Sequence, residues 1–263
     1  MPKKLKRFKM FNYLLALLPI SITFLVILLQ LYYLYRLVPQ EVHSPPVGCN
    51  KIIVILGSST AAGHGVAYRD SSWVNRLKRF IREKTDDGYS VVNLAQGGYT
   101  TYKILPTNSP IPRKRPYPDN KRNITAALKL KPAYIIINMP SNDAASRFTV
   151  DEQIDNWLII RNTIRKAGVP LWVTTTQPRK MSRVQKANLK EVKEAILLLF
   201  KERTIDIYTP LAAENGAMKE SYDAGDGIHL NELGHFVIFD MMLNLEFIKS
   251  LKSEKTHEKL KQL

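Results

Sequence analysis

Five short apolar runs, each separated from the next by a stretch of helical periodicity, govern what this chain can fold into. The runs lie at 52–56, 90–94, 134–138, 171–175 and 205–207. Between and after them stand helix-like stretches at 72–84, 124–130, 151–167, 183–201 and 231–251. In the first of these, Trp73, Leu77, Phe80 and Ile81 recur at the spacing of one helical face. Parallel strands need crossover connections, and helices supply them. The alternation therefore predicts an α/β fold of three layers, α/β/α, around a parallel five-stranded sheet. The segment 51–252 is long enough for one such domain with a sizeable core.

The N-terminus is built differently. Residues 1–9 carry Lys3, Lys4, Lys6, Arg7 and Lys9, and no further charge occurs until Arg36. The uncharged stretch 10–35 would extend about 39 Å as a helix, enough to cross a bilayer. Tyr32, Tyr33 and Tyr35 cluster at its far end, where aromatic rings favour the interface. One transmembrane signal-anchor helix is expected here, with the basic flank cytoplasmic and the catalytic domain periplasmic or extracellular. A cleaved signal peptide is the rival reading, against which stand the length of the apolar core and the lack of an Ala-x-Ala site. A lipoprotein signal ending at Cys49 is a weaker rival, because Pro46 stands where Leu is expected. Residues 36–50, rich in proline, read as a linker, and 253–263 as a charged tail.

Cys49 is the only cysteine, which excludes an internal disulfide and a cysteine metal site. The formal net charge is +16, concentrated beyond the N-terminal flank at 113–122, 179–193 and after Ile248. It reads either as an ordinary solvated surface or as attraction to an anionic membrane face or acidic envelope polymer. Nucleic acid is not an expected partner of an outward-facing anchored domain. Oligomeric state has no signature in the sequence.

Chemistry gathers at the ends of the apolar runs, where open α/β sheets bind their ligands. The first run ends in Gly57-Ser58-Ser59, the second is followed by Asn93 to Thr101 with Gly97-Gly98, and the third by Met139-Pro140-Ser141-Asn142-Asp143. Far downstream stands Asp226-Gly227-Ile228-His229. A serine hydroxyl is a weak nucleophile until a base takes its proton, and a carboxylate can orient that base. A glycine N–H and an Asn amide suit a developing oxyanion. The four segments in this order resemble the SGNH (GDSL-type) hydrolases across roughly 51–250. That resemblance implies a flavodoxin-like fold with Ser59 as nucleophile, His229 as base and Asp226 as its partner. It also implies an oxyanion hole of Ser59 N–H, Gly98 and Asn142, and no metal or organic cofactor.

Two positions depart from the family pattern. Ser58 stands where Asp usually precedes the nucleophile, and Pro140 stands where Gly usually lies two residues before the Asn. Gly97 competes with Gly98 as the N–H donor. His64 and His235 read as packing or structural histidines, Asp143 as a brace of its loop, and Tyr99 as a candidate pocket wall. The proline-rich stretch 100–120 reads equally as part of a substrate mouth or as a surface excursion. Asn123-Ile124-Thr125 is formally a glycosylation sequon. The function expected is a membrane-anchored serine esterase acting on O-acylated envelope glycan or lipid. Its alternatives are an O-acyltransferase using the same site and a non-catalytic envelope binding module.

Overall fold

The β-rich runs of the sequence form one sheet in the computed structural model, which describes residues 51–85 and 88–251 together with Gln30. The expected basic flank, membrane helix, linker and tail lie, apart from Gln30, outside the described residues. Among the described residues no helix is long and apolar enough to cross a membrane. The strands are β1 (Lys51–Gly57), β2 (Tyr89–Asn93), β3 (Tyr134–Asn138), β4 (Leu171–Thr174) and β5 (Thr204–Ile205). They pair in parallel in the order β2-β1-β3-β4-β5. The chain runs from β1 outward to β2, then crosses back to β3, so the loops leaving β1 and β3 diverge at a switch point.

Both faces of the sheet are buried, and each strand shares its residues between them with a period of two. On one face Ile53, Ile55 and Ile136 pack with Trp73, Leu77 and Ile81 of α2 (Trp73–Thr85) and with Ile238 and Met242 of a helix near the C-terminus. On the other, Val54, Leu56, Ile135 and Ile137 meet Trp157, Ile160 and Ile164 of α3 (Val150–Lys166) and Val192 and Ile196 of α4 (Arg183–Phe200). A four-residue helix, α1 (Ser59–Ala62), precedes them all, and α5 (Glu232–Leu243) follows. The middle residues of β1 and β3 are fully buried. Each such Ile, Leu or Val contributes about 1.5–3 kcal/mol. This rigid pair of strands is what carries the two loops at the switch point.

Local signals account for most boundaries. Thr149 with Glu152 and Ser182 with Gln185 form capping boxes that start α3 and α4. The single helix expected over 231–251 is instead two, α5 and a short helix Glu246–Ser250, separated at Asn244 and Leu245. The break redirects the chain so that Phe247 lies 4.5 Å from the Tyr134 ring and 4.2 Å from the Trp172 ring. Packing against the sheet outweighs continuation of the helix.

The stretch 100–120 is tied down at several points. It opens with a short helix, Thr101–Ile104, and Asp119 N–H returns to Lys103 O at 2.9 Å. Arg115 grips Glu152 through Nε at 2.5 Å and Nη2 at 3.0 Å, and Tyr102 OH reaches the same carboxylate at 3.1 Å. The sequon asparagine is spent on structure: Asn123 is fully buried, accepts from Ala126 N–H to cap the helix Ile124–Lys129, and donates to Thr107 Oγ1 at 3.0 Å.

Candidate active site

Ser59 is the first residue of α1, directly beyond the end of β1. Gly57 makes that turn possible, because a Cβ there would lie 2.6 Å from Asn138 O and 2.7 Å from Ala61 Cβ. The Ser59 N–H stands at a helix start, where geometry leaves it without an intrahelical acceptor. Its two neighbours are anchored to different loops. Ser58 Oγ accepts from Asn142 Nδ2 at 2.6 Å, and Thr60 Oγ1 donates to Gln177 Oε1 at 2.8 Å.

Asn142 opens a one-turn helix, Asn142–Ala145, after β3. Its amide is oriented by three partners: Nδ2 donates to Ser58 Oγ and to Tyr99 O at 2.9 Å, while Oδ1 accepts from Arg179 Nη1 at 3.3 Å. A flipped amide would set its NH2 against the guanidinium and its oxygen against a carbonyl, so the orientation follows from chemistry. Asp143 binds the same loop two residues farther on. Its carboxylate accepts from Thr101 N–H at 3.0 and 3.1 Å and from Thr101 Oγ1 at 2.5 Å. Burial pushes the Asp143 pKa up to about 6, against the pull of the Thr101 hydrogen bonds. It braces the neighbouring loop rather than only its own.

Gly98 lies on that braced loop with φ +80°, and a Cβ there would meet nothing within 4 Å. Its Cα therefore borders open space. Gly97 does not: a Cβ there would lie 2.9 Å from the His64 ring. Tyr99 is buried and its hydroxyl donates to Asp119. Burial and that carboxylate hold the Tyr99 pKa well above its ordinary value.

Asp226 and His229 form a bonded pair in a compact loop. His229 Nδ1 lies 2.6 Å from Asp226 Oδ2, while Oδ1 accepts the N–H groups of Ile228 and His229 at 2.8 Å each. A proton on Nδ1 meets that carboxylate oxygen, since a carboxylate can only accept. Burial alone would raise the Asp226 pKa, but the hydrogen bonds from His229 and Ile228 outweigh it and hold it below the usual carboxylate value. The carboxylate stays ionised beside its imidazole.

Two contacts set this loop against His64 and Gly65, the residues that follow α1, and α5 adds a third anchor on His64. A Cβ on Gly65 would lie 2.9 Å from His229 Cβ and closer still to Leu230 O, so only glycine fits there, at φ +96°. The His64 and His229 rings stand 5.6 Å apart, tilted by 37°. His235, on α5, bridges His64 O at 3.0 Å and Trp73 N–H at 3.3 Å from a fully buried position. Burial drives its pKa down to about 4, which keeps it neutral.

The loop after β4 ties the loops after β1 and β3 to the Asp226–His229 loop. Gln177 N–H donates to Pro140 O at 2.8 Å, and Gln177 Nε2 to Ile228 O at 3.0 Å, while its Oε1 accepts from Thr60. Lys180 N–H donates to Gly227 O at 2.8 Å. Pro140 thereby serves as a carbonyl acceptor in the clamp. The available sequence signal for this loop was the polar run Thr174-Thr175-Thr176-Gln177 at a strand end. Among the described residues no group of three or more His, Cys, Asp or Glu side chains is placed to hold a metal ion.

A parallel α/β sandwich that sets a serine and an oriented asparagine on strand-end loops, with a bonded Asp–His pair just before α5, has the build of an ester hydrolase. The model of the GDSL-like Lipase/Acylhydrolase family matches residues 55–236. The chain belongs to that family, and it is an ester-hydrolysing enzyme. No curated protein sequence matches it. Among solved structures the fold is similar to a lipase/acylhydrolase from Enterococcus faecalis, at 18% identity and TM-score 0.54 over 73% of this chain and 93% of that one. It is also similar to the psychrotrophic esterase EstA from Pseudoalteromonas sp., at 18% identity and TM-score 0.53 over 74% and 96%. A third is the acetyl xylan esterase AlAXEase, at 16% identity and TM-score 0.53 over 73% and 97%.

Proposed function

We propose that the chain is a serine esterase working through an acyl-enzyme. Ser59 Oγ attacks the ester carbonyl carbon and its proton passes to His229 Nε2. Asp226 steadies the imidazolium that results. The negative charge on the carbonyl oxygen is met by the N–H groups of Ser59 and Gly98 and by the Asn142 amide. Collapse expels the alcohol oxygen, which takes the proton from His229. A water deprotonated by His229 then attacks the acyl-enzyme, and Ser59 leaves with the proton returned. Both Asn142 amide hydrogens serve Ser58 and Tyr99 in this state, so engaging the oxyanion draws one of them away from its present partner.

The observation that carries this reading is the 2.6 Å Asp226–His229 pair on a loop that Gln177 ties to Thr60, the residue after Ser59. The substrate class proposed is O-acylated envelope glycan or lipid, reached by a domain (51–252) held outside a membrane by helix 10–35 with a cytoplasmic N-terminus. The uncharged length of 10–35 and its basic flank support the anchoring. That one similar fold is an acetyl xylan esterase agrees with a glycan ester.

The test is hydrolysis of p-nitrophenyl acetate, butyrate and octanoate by the full chain beside Ser59→Ala and His229→Ala. Activity that both substitutions reduce at least a thousandfold is the expected result, since the triad acts as a unit. A folded parent no faster than either variant, and unlabelled at Ser59 by a fluorophosphonate, overturns it in favour of a binding module. Acyl appearing on an added sugar acceptor would mark a transferase.

A further inference from the structure

Arg179 extends from the clamp loop to the edge of the site. A guanidinium carries five N–H donors in a planar fork and stays charged. Among the described residues one donor is used, by Asn142 Oδ1 at 3.3 Å. Among the described residues no carboxylate lies within ion-pair distance of Arg179, and Asp226 acts on it only from farther away. The side chain is half-buried, so water does not fully replace the missing partners. Keeping a partly desolvated charge with no direct ion-pair partner costs stability. A brace for Asn142 needs no charge, since a neutral Gln could donate the same hydrogen bond. The remaining donors match two oxygens of a carboxylate or a phosphate.

We infer that Arg179 binds an anionic group, a carboxylate or a phosphate, carried by the ester itself, so that the substrate is an acidic ester. This rests on the serine-esterase reading and narrows its substrate class. The full chain's net charge of +16, part of it at 179–193, favours approach of an acidic polymer. The oxoanion can reside on the acyl half or on the alcohol half of the ester, and the experiment separates these sources.

The full chain, Arg179→Met and Arg179→Lys would be assayed on neutral p-nitrophenyl acetate and methyl O-acetylglycolate. The acidic counterparts are mono-p-nitrophenyl succinate, with the charge on the acyl half, and O-acetylglycolate and O-acetylglycerol phosphate, with it on the alcohol half. The parent should prefer at least one acidic ester by about 10- to 100-fold in kcat/KM, the worth of a charge-assisted pair. Arg179→Met should erase that preference through KM, and Arg179→Lys should keep part of it. Both variants disturb Asn142, so kcat falls on every ester and the ratio of acidic to neutral is the diagnostic quantity. An unchanged ratio in Arg179→Met, or no acidic preference in the parent, overturns the inference and leaves Arg179 a brace. Should the parent cleave no ester at all, the esterase reading fails separately. Calorimetry with succinate and inorganic phosphate then decides: binding lost in Arg179→Met supports the anion site, and no binding by the parent overturns it.

Discussion

Single residues at this site are chosen as much for what they leave out as for what they supply. Gly65 has no side chain where the backbone of His229 and Leu230 passes, and its φ of +96° lies where side-chain-bearing residues are strained. Gly65→Ala therefore combines a steric clash with backbone strain, a cost of about 1–3 kcal/mol. The clash falls on the carbonyl after His229, so relief must move the imidazole. A drop of at least tenfold in kcat with KM little changed is expected, together with a lower Tm. Full activity at a lowered Tm would show that the two loops can separate without moving the base. Ser58 illustrates substitution rather than omission. It stands where the family usually has Asp, and its Oγ takes the Asn142 amide at 2.6 Å. A neutral acceptor does there what a carboxylate can do, without adding a charge beside Asn142.

At the scale of elements, the decisive piece is a loop with no regular structure of its own. Gln177 is buried and holds Thr60 and Ile228 with one side chain and Pro140 with its backbone. Gln177→Ala keeps the backbone bond and loses the two side-chain bonds, leaving Ile228 O and the Thr60 hydroxyl to find new partners. Each lost bond costs about 1–3 kcal/mol. The expected outcome is a kcat reduced about 10- to 100-fold and fluorophosphonate labelling of Ser59 slowed alike, with Gln177→Glu restoring only the Thr60 contact and little of the rate. Equal labelling rates in parent and variant would sink the positioning role. The strands and long helices were legible in the sequence because burial on two faces and capping boxes leave local marks. So were the positions of Ser59, Asn142 and the Asp226–His229 loop, each beside a strand end or a helix start. Gln177 and Arg179 were not, because their partners are up to 117 positions away and follow from strand order rather than spacing. The break at Asn244 escaped for a similar reason: the rings of Tyr134 and Trp172 that capture Phe247 belong to other elements.

For the molecule as a whole, two buried groups with opposite shifts shape the response to pH. Burial holds His235 neutral at a pKa of about 4, with His64 O, Trp73 N–H and the side chains of His229, Arg76 and His64 around it. Its ordinary value is about 6.5, so the unfolded chain binds the proton first. The stability it protects is intact above pH 6.5 and is lost as pH falls through 4, by about 3 kcal/mol. Asp143, facing Thr101 with Glu152 beyond, runs the other way. Burial raises it from 3.8 to about 6, so its ionised form weakens the fold. Stability from this group is greatest below pH 3.8 and is lost as pH rises through 6, again by about 3 kcal/mol. Between pH 4 and 6 the two slopes oppose, and the parent should show a nearly flat contribution from them. Single substitutions uncover each slope. His235→Gln should be less stable than the parent at pH 7, with the deficit shrinking steadily toward pH 4. Asp143→Asn should show its largest deficit at pH 4 and its smallest above pH 6. Urea midpoints at pH 4, 5, 6 and 7 read both. Differences from the parent that stay constant across that range would mean that neither group changes its proton affinity on folding. The braces at α5 and at the Thr101 loop would then owe their strength to hydrogen-bond geometry alone.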